Sequence, residues 1–188
     1  RYTILYKATL SVLWRKLNLN SSCAASSGEF KLNNFKKRKE KELSMFEKIL
    51  YPTDFSDASK KAIDYLVQLK DAGAKEIVIL HVIDEKGIDA IYRYGAGSAV
   101  EIIGAIEKEA REEGEKIEKK LRQPGLEVKV RIETGVPLKE ILKVEEEEKV
   151  SAIVIGSHGK TNLQEMVLGS VSEKVIRQSK KPVLVIKR

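Results

Sequence analysis

The chain has 188 residues, with 35 Lys and Arg against 28 Asp and Glu, one Cys, two His and 42% hydrophobic residues. That length accommodates one domain of ordinary size plus a tail, and no run approaches the ~18 apolar residues of a membrane span. A single Cys excludes a disulfide framework and a Cys-based zinc site, and the composition excludes collagen-like, coiled-coil and wholly disordered chains.

The formal charge of +7 sits at one end of the chain. Residues 1–44 carry ten basic and three acidic side chains, so the remaining 144 residues balance at 25 of each. A compact domain of balanced charge has no general attraction to a polyanion, so no nucleic-acid partner is expected for residues 45–188. Residues 1–44 read as a basic leader. An apolar stretch from Ile4 to Leu19 is broken by Lys7, Arg15 and Lys16. A small-polar run from Ser21 to Gly28 and a basic run from Lys36 to Lys41 follow. The interrupting charges make a poor secretory signal. Two readings stay open. One is fusion-derived or upstream-translated sequence ahead of a native start at Met45, which is the expectation. The other is a basic amphipathic helix for a membrane surface or a nucleic acid. Cys23 lies in this leader, so residues 45–188 carry no thiol.

From Phe46 the pattern becomes regular. Lys48–Tyr51 is a short apolar run that ends in Pro52-Thr53-Asp54, a strand followed by a loop. Ser56 predicts a helix cap, with Ala58, Ala62, Tyr65, Leu66 and Leu69 as the apolar stripe and Gly73 as the stop. Glu76–Ile83 is a β-branched run expected to be buried on both faces. A polar, Gly-containing loop is expected from Asp84 to Ser98. Ile102, Ile103, Ile106, Ala110, Ile117 and Leu121 then trace one face of a long helix, stopped by Pro124-Gly125.

Leu126–Glu133 alternates apolar and charged residues, the mark of a half-exposed edge strand. Pro137 suits the first turn of a helix bearing Leu138, Ile141, Leu142 and Val144. Its end carries Glu145 to Glu148, read as a solvated acidic face. Ala152–Ile155 is a buried strand that runs into Gly156. A last helix carries Val171, Val175 and Ile176, and Pro182–Ile186 is the final strand. Five strands alternating with helices predict a three-layer α/β/α sandwich on a parallel sheet with right-handed crossovers. Ligands of such sheets sit beyond the carboxyl ends of the strands, where the strand order reverses. The loops after strands 1 and 4 hold the special residues.

Gly156 and Gly159 are two residues apart, and nine residues then precede Gly169-Ser170. Glycine permits positive φ and lets backbone N–H groups approach an anion without a Cβ in the way. Ser170-Val171-Ser172-Glu173 reads as a capping box at a helix start, which suits a phosphate. No Gly-Lys-[Ser/Thr] ends the loop, so it is not a P-loop, and the glycine spacing is not that of a dinucleotide fingerprint.

On these residues the chain resembles the universal stress protein family, and in particular its ATP-binding archaeal-type members. The resemblance runs from Met45 to Arg188. It rests on Ile49–Ser56, on Leu80–Asp84, on Gly156–Asn162 and on Leu168–Val171, with the family's Gly-x2-Gly-x9-Gly-[Ser/Thr] pattern met without gaps. It implies a Rossmann-like, adenine nucleotide alpha hydrolase-like fold with strand order 3-2-1-4-5. It implies ATP as ligand, with Mg²⁺ or Mn²⁺ at the phosphates. Pro52, Thr53 and Asp54 match the loop that contacts the nucleoside, and Val82 the position whose backbone pairs with adenine. Gly156, Ser157, His158, Gly159, Gly169, Ser170, Val171 and Ser172 match the phosphate- and ribose-binding loop. Ser151 and Lys149 depart from the family's usual Asp and helix-ending Gly, away from the site.

The expected function is a cytoplasmic, homodimeric, ATP-dependent regulator in a stress response. A slow ATP hydrolase or phosphotransferase is the alternative, and attachment through the basic leader a weaker one. Phosphoryl transfer requires a positioned nucleophile, metal ligands and a cation at the γ-phosphate. Asp54, Lys160 and His158 are thin candidates for these roles, so at most a weak ATPase is expected. His81, within a strand, reads as structural. The homodimer is expected through Pro182, Val183, Leu184, Val185 and Ile186. This apolar strand lies at a sheet edge with no charge or bulge to blunt it.

Overall fold

Apolar runs bounded by turn residues set the sheet. In the structure, a computed structural model that describes residues 46–94, 98–157 and 168–187, every predicted strand forms. They are β1 (Lys48–Pro52), β2 (Glu76–Asp84), β3 (Glu127–Gly135), β4 (Ala152–Gly156) and β5 (Val183–Ile186). The helices are α1 (Asp57–Leu69), α2 (Glu85–Tyr94), α3 (Ala99–Arg122), α4 (Pro137–Glu147) and α5 (Ser170–Gln178). The strands pair in parallel in the order β3-β2-β1-β4-β5, as expected. The leader, Met45, His158, Gly159 and Lys160 lie outside the described residues.

Side chains alternate across a strand, so each strand feeds two cores. Ile49, Tyr51, Ile77 and Ile79 pack under Ala62, Leu66 and Leu69 of α1 and Ile117 and Leu121 of α3. Leu50, Val78 and Leu80 pack under Ile141 and Val144 of α4 and Val175 of α5. Burial on both faces is what a parallel sheet requires. The strand order reverses between β1 and β4, the place where sheets of this kind form their ligand crevice.

Three local expectations are corrected. The segment expected as a loop from Asp84 to Ser98 contains α2. Ile88 and Ile91 are three apart and half-buried, Glu85 opens the helix and Arg93 closes it, in keeping with the helix dipole. Gly87 masked that pattern. Tyr65 is 40% exposed, and the buried stripe of α1 is Ala62, Ile63, Leu66 and Leu69.

The acidic run at the end of α4 is a solvated face only at Glu146 and Glu147, not at Glu145 and Glu148. Glu145 is only 2% exposed and its Oε1 accepts the Lys180 N–H at 3.1 Å. Glu148 binds Lys129 Nζ at 2.6 Å, Lys48 Nζ at 2.9 Å and Arg131 Nη1 at 3.1 Å. Lys48 also meets Glu76 at 2.9 Å, and Arg131 meets Glu133 at 2.6 Å and Glu147 at 2.9 Å. Hydrogen bonds from Lys129 and then Lys48 hold the Glu148 carboxyl down to about 2. Lys149 follows with φ 51, the left-handed conformation that glycine adopts at a helix end without strain.

Candidate functional site

The loop leaving β1 is built from neutral hydroxyls. Thr53 is 6% exposed, and its N–H donates to Leu80 O at 2.9 Å. Its Oγ1 lies 3.0 Å from Ser59 Oγ and accepts the Phe55 N–H at 3.0 Å. Ser59 Oγ donates to Ser56 O at 2.9 Å, so the proton between the two hydroxyls comes from Thr53. Tyr51 OH donates to Ser59 O at 2.6 Å, and its burial pushes its pKa up. Ser56 caps α1 as expected, accepting the Ser59 N–H at 3.3 Å. Asp54 Oδ1 accepts the Ser56 N–H at 3.1 Å, which fixes this half-buried carboxylate at the mouth of the crevice.

Phe55 takes φ 61, a conformation uncommon for a bulky residue and one that tends to collect at functional sites. Its ring stacks on His81 with centroids 4.5 Å apart and planes 23° apart. His81 Nδ1 lies 2.8 Å from Thr53 O. A carbonyl only accepts, so Nδ1 carries the hydrogen. Val82 follows on β2, its side chain packed against the core under α4. Backbone groups on alternate residues of a strand face the same side. Leu80 O faces β1, so the Val82 N–H and C=O face that side too, beyond Pro52 where the β1 ladder ends.

The loop leaving β4 is pinched at its base. Ser157 is 1% exposed, donates its N–H to Ile186 O at 2.8 Å and accepts the Gly169 N–H at 2.8 Å. Ser172, 5% exposed, donates its Oγ–H to Gly156 O at 2.8 Å. These bonds hold Gly156-Ser157 against the start of α5. The expected capping box is absent. The N-cap is Gly169, with φ −61 and ψ 146, and no side chain caps the helix. Ser170 falls one position too late, inside the first turn, and Ser172 turns inward to Gly156. The first-turn N–H groups lack acceptors within the helix, as at any helix start.

The structure thus brings Pro52, Thr53, Asp54, Val82, Gly156, Ser157, Gly169, Ser170, Val171 and Ser172 to the carboxyl ends of β1, β2 and β4. His158 and Gly159 lie outside the described residues. Reading the sequence missed Tyr51, Phe55, Ser59 and the contacts of His81. The spacing Ser56-x2-Ser59 was a usable signal for the hydroxyl cluster. Phe55 carries no local signal, since nothing in a Phe announces positive φ.

Comparison with known proteins places this arrangement. The model of the universal stress protein family matches residues 45–187. The chain belongs to this family. Among its curated relatives, universal stress protein MJ0577 of Methanocaldococcus jannaschii is 42% identical over 156 residues, covering 77% of this chain and 96% of its own. Universal stress protein YxiE of Bacillus subtilis is 40% identical over 148 residues, covering 76% and 100%. The solved structure of MJ0577 superposes with a TM-score of 0.70 at 45% identity, covering 77% of this chain and 97% of that one. A universal stress protein solved in complex with cAMP shares the fold at 22% identity and a TM-score of 0.52, covering 76% and 97%. Among the described residues, no helix of this family member is long and apolar enough to cross a membrane.

Proposed function

We propose that this universal stress protein is a cytoplasmic, homodimeric regulator that binds ATP between the loops after β1 and β4. One observation carries the reading. At the reversal of strand order, the β1 loop with Asp54, the open backbone of Val82 and the pinched Gly156-Ser157/Gly169–Ser172 base all border one crevice. The glycine spacing of the sequence falls on that same loop. Adenine takes the Val82 backbone and the ribose takes Asp54. The phosphates take the glycine loop, where Gly156, Ser157, His158, Gly159, Gly169, Ser170, Val171 and Ser172 are the proposed contacts. The start of α5 favours an anion through the helix dipole.

Among the described residues no three or more His, Cys, Asp or Glu gather into a metal cluster. Mg²⁺ or Mn²⁺ would be held chiefly by the phosphate oxygens of the ligand, with the Asp54 carboxylate on the β1 loop as a further candidate. Turnover is expected to be slow, because the candidate residues do not make a full phosphoryl-transfer set. The functional unit is residues 45–188, with the leader dispensable for binding.

The proposed dimer pairs β5 with its copy. β5 is a sheet edge whose Val183, Leu184 and Val185 are only half-buried within one chain. Antiparallel pairing across a two-fold axis satisfies the edge and covers these residues. The opposite edge, β3, carries Lys129, Arg131 and Glu133, which blunt it. Titration calorimetry with ATP tests the binding reading, and a wild-type chain that takes up no ATP refutes it. Sedimentation tests the dimer: Val185→Lys should yield monomers, and an unchanged dimer refutes the β5 interface.

A further inference from the structure

His81 sits where β1 and β2 part company. In a parallel ladder, once the Thr53 N–H has donated to Leu80 O, the next bond runs from the Val82 N–H to Thr53 O. Here the first bond is made at 2.9 Å, but the ladder stops with Pro52 opposite Leu80. The Thr53 carbonyl instead takes the His81 Nδ1–H at 2.8 Å. The imidazole thus satisfies a buried carbonyl that a strand amide would otherwise claim. Its other face stacks on Phe55, the residue held at φ 61 as the chain turns out of the sheet.

We infer that His81 is a positioning residue that displaces the Val82 N–H from the β1 ladder and so releases it to a ligand in the crevice. The inference rests on the reading of that crevice as a nucleotide site. It assigns a cause to a feature that Val82 alone does not explain: a mid-strand backbone N–H and C=O turned toward open crevice rather than toward a neighbouring strand. A ligand edge offering one acceptor and one donor side by side fits that pair, which is the chemistry of a purine bearing an exocyclic amine. Without the imidazole, the Thr53 carbonyl recaptures the Val82 N–H, β1 gains a rung, and the nucleoside end of the crevice closes.

The test compares His81→Val, which has no donor, with His81→Asn, whose amide nitrogen reaches roughly where Nδ1 lies. Two quantities are read on the full chain: hydrogen exchange at the Val82 amide without ligand, and affinity for adenosine, ATP and inorganic triphosphate. Thermal midpoints confirm that both variants are folded. His81→Val should protect the Val82 amide and weaken adenosine and ATP by about tenfold, the worth of one lost hydrogen bond. Triphosphate affinity should stay unchanged. His81→Asn should restore exchange at Val82 and most of the affinity. Unchanged exchange at Val82 in His81→Val, or equal losses in the two variants, overturns the inference while leaving the nucleotide site standing. A wild-type chain that binds neither ATP nor adenosine removes both.

Discussion

The two ends of the sheet are built on opposite principles. From the amino ends of β1 and β2, where Lys48 and Glu76 meet Glu148 at the end of α4, a linked set of charges runs along β3 through Lys129 to Arg131 in mid-strand. At the carboxyl ends the fixed groups are neutral: Tyr51, Thr53, Ser56, Ser59, Ser157 and Ser172, tied to backbone atoms. The charged end has its polar groups paired with one another. The neutral end uses its side chains to hold loops, with the Asp54 carboxylate fixed at its mouth by the Ser56 N–H. A charged ligand meets fewer fixed charges at the neutral end. Substitutions at the two ends should therefore separate binding from stability.

The largest effect is expected at the neutral end. Gly159→Val places a Cβ and two methyls in the glycine loop and should lower ATP affinity by about a hundredfold or more, with circular dichroism unchanged. Calorimetry checks it, and undiminished affinity sinks the loop's assignment.

At the charged end, Glu148→Gln should cost about 1–3 kcal/mol in urea unfolding, because it takes the charge from a carboxylate shared by three cations. ATP affinity should stay within about twofold, and a larger loss would break the contrast between the ends. The pH dependence follows from the same group. Its folded value of about 2 lies below the ordinary 4.5. The folded state thus gains from the charged form, fully above about 4.5, and the gain disappears as the pH falls toward 2. Wild type and Glu148→Gln should converge in stability across that window. A gap that persists at its acid end would contradict the account.

Much of the fold was legible because apolar runs of strand length are hard to mistake when turn residues bound them. Glu76–Ile83 and Ala152–Ile155 announce buried strands, and the reversal between β1 and β4 followed from the family resemblance. α2 was hidden because Gly87 and a short stripe of Ile88 and Ile91 look like loop. Glu145 and Glu148 were misread because their partners are far away in sequence. Lys48 and Glu148 are separated by 100 residues, and only the sheet register brings them together. The glycine spacing falls between β4 and α5. The capping box failed by one residue, since Gly169 took the cap and Ser172 turned to Gly156. The His81–Thr53 contact depends on where β1 stops, which no local pattern encodes.

A smaller effect sharpens the contrast from within the neutral end. Tyr51→Phe deletes the donor to Ser59 O and should cost about 1 kcal/mol of stability and a few-fold in ATP affinity, because the β1 loop loses a buried tie. Urea unfolding and calorimetry on one preparation read both, and a stability loss with no change in affinity would detach this hydroxyl from the site. The smallest effect belongs to the charged end. Lys149→Gly relieves φ 51 and should add about 0.5–1 kcal/mol while leaving ATP binding untouched. A destabilised variant would show that the Lys149 side chain matters more than its backbone.

The location of the ligand is tested most directly by hydrogen exchange with and without saturating ATP. Protection is predicted at residues 53–56, at Val82 and Ile83, at Gly156 and Ser157, and at 169–172, with no change around Lys48, Lys129 and 145–149. Protection confined to the charged end, or none at the carboxyl ends of β1 and β4 under saturating ATP, would contradict the account.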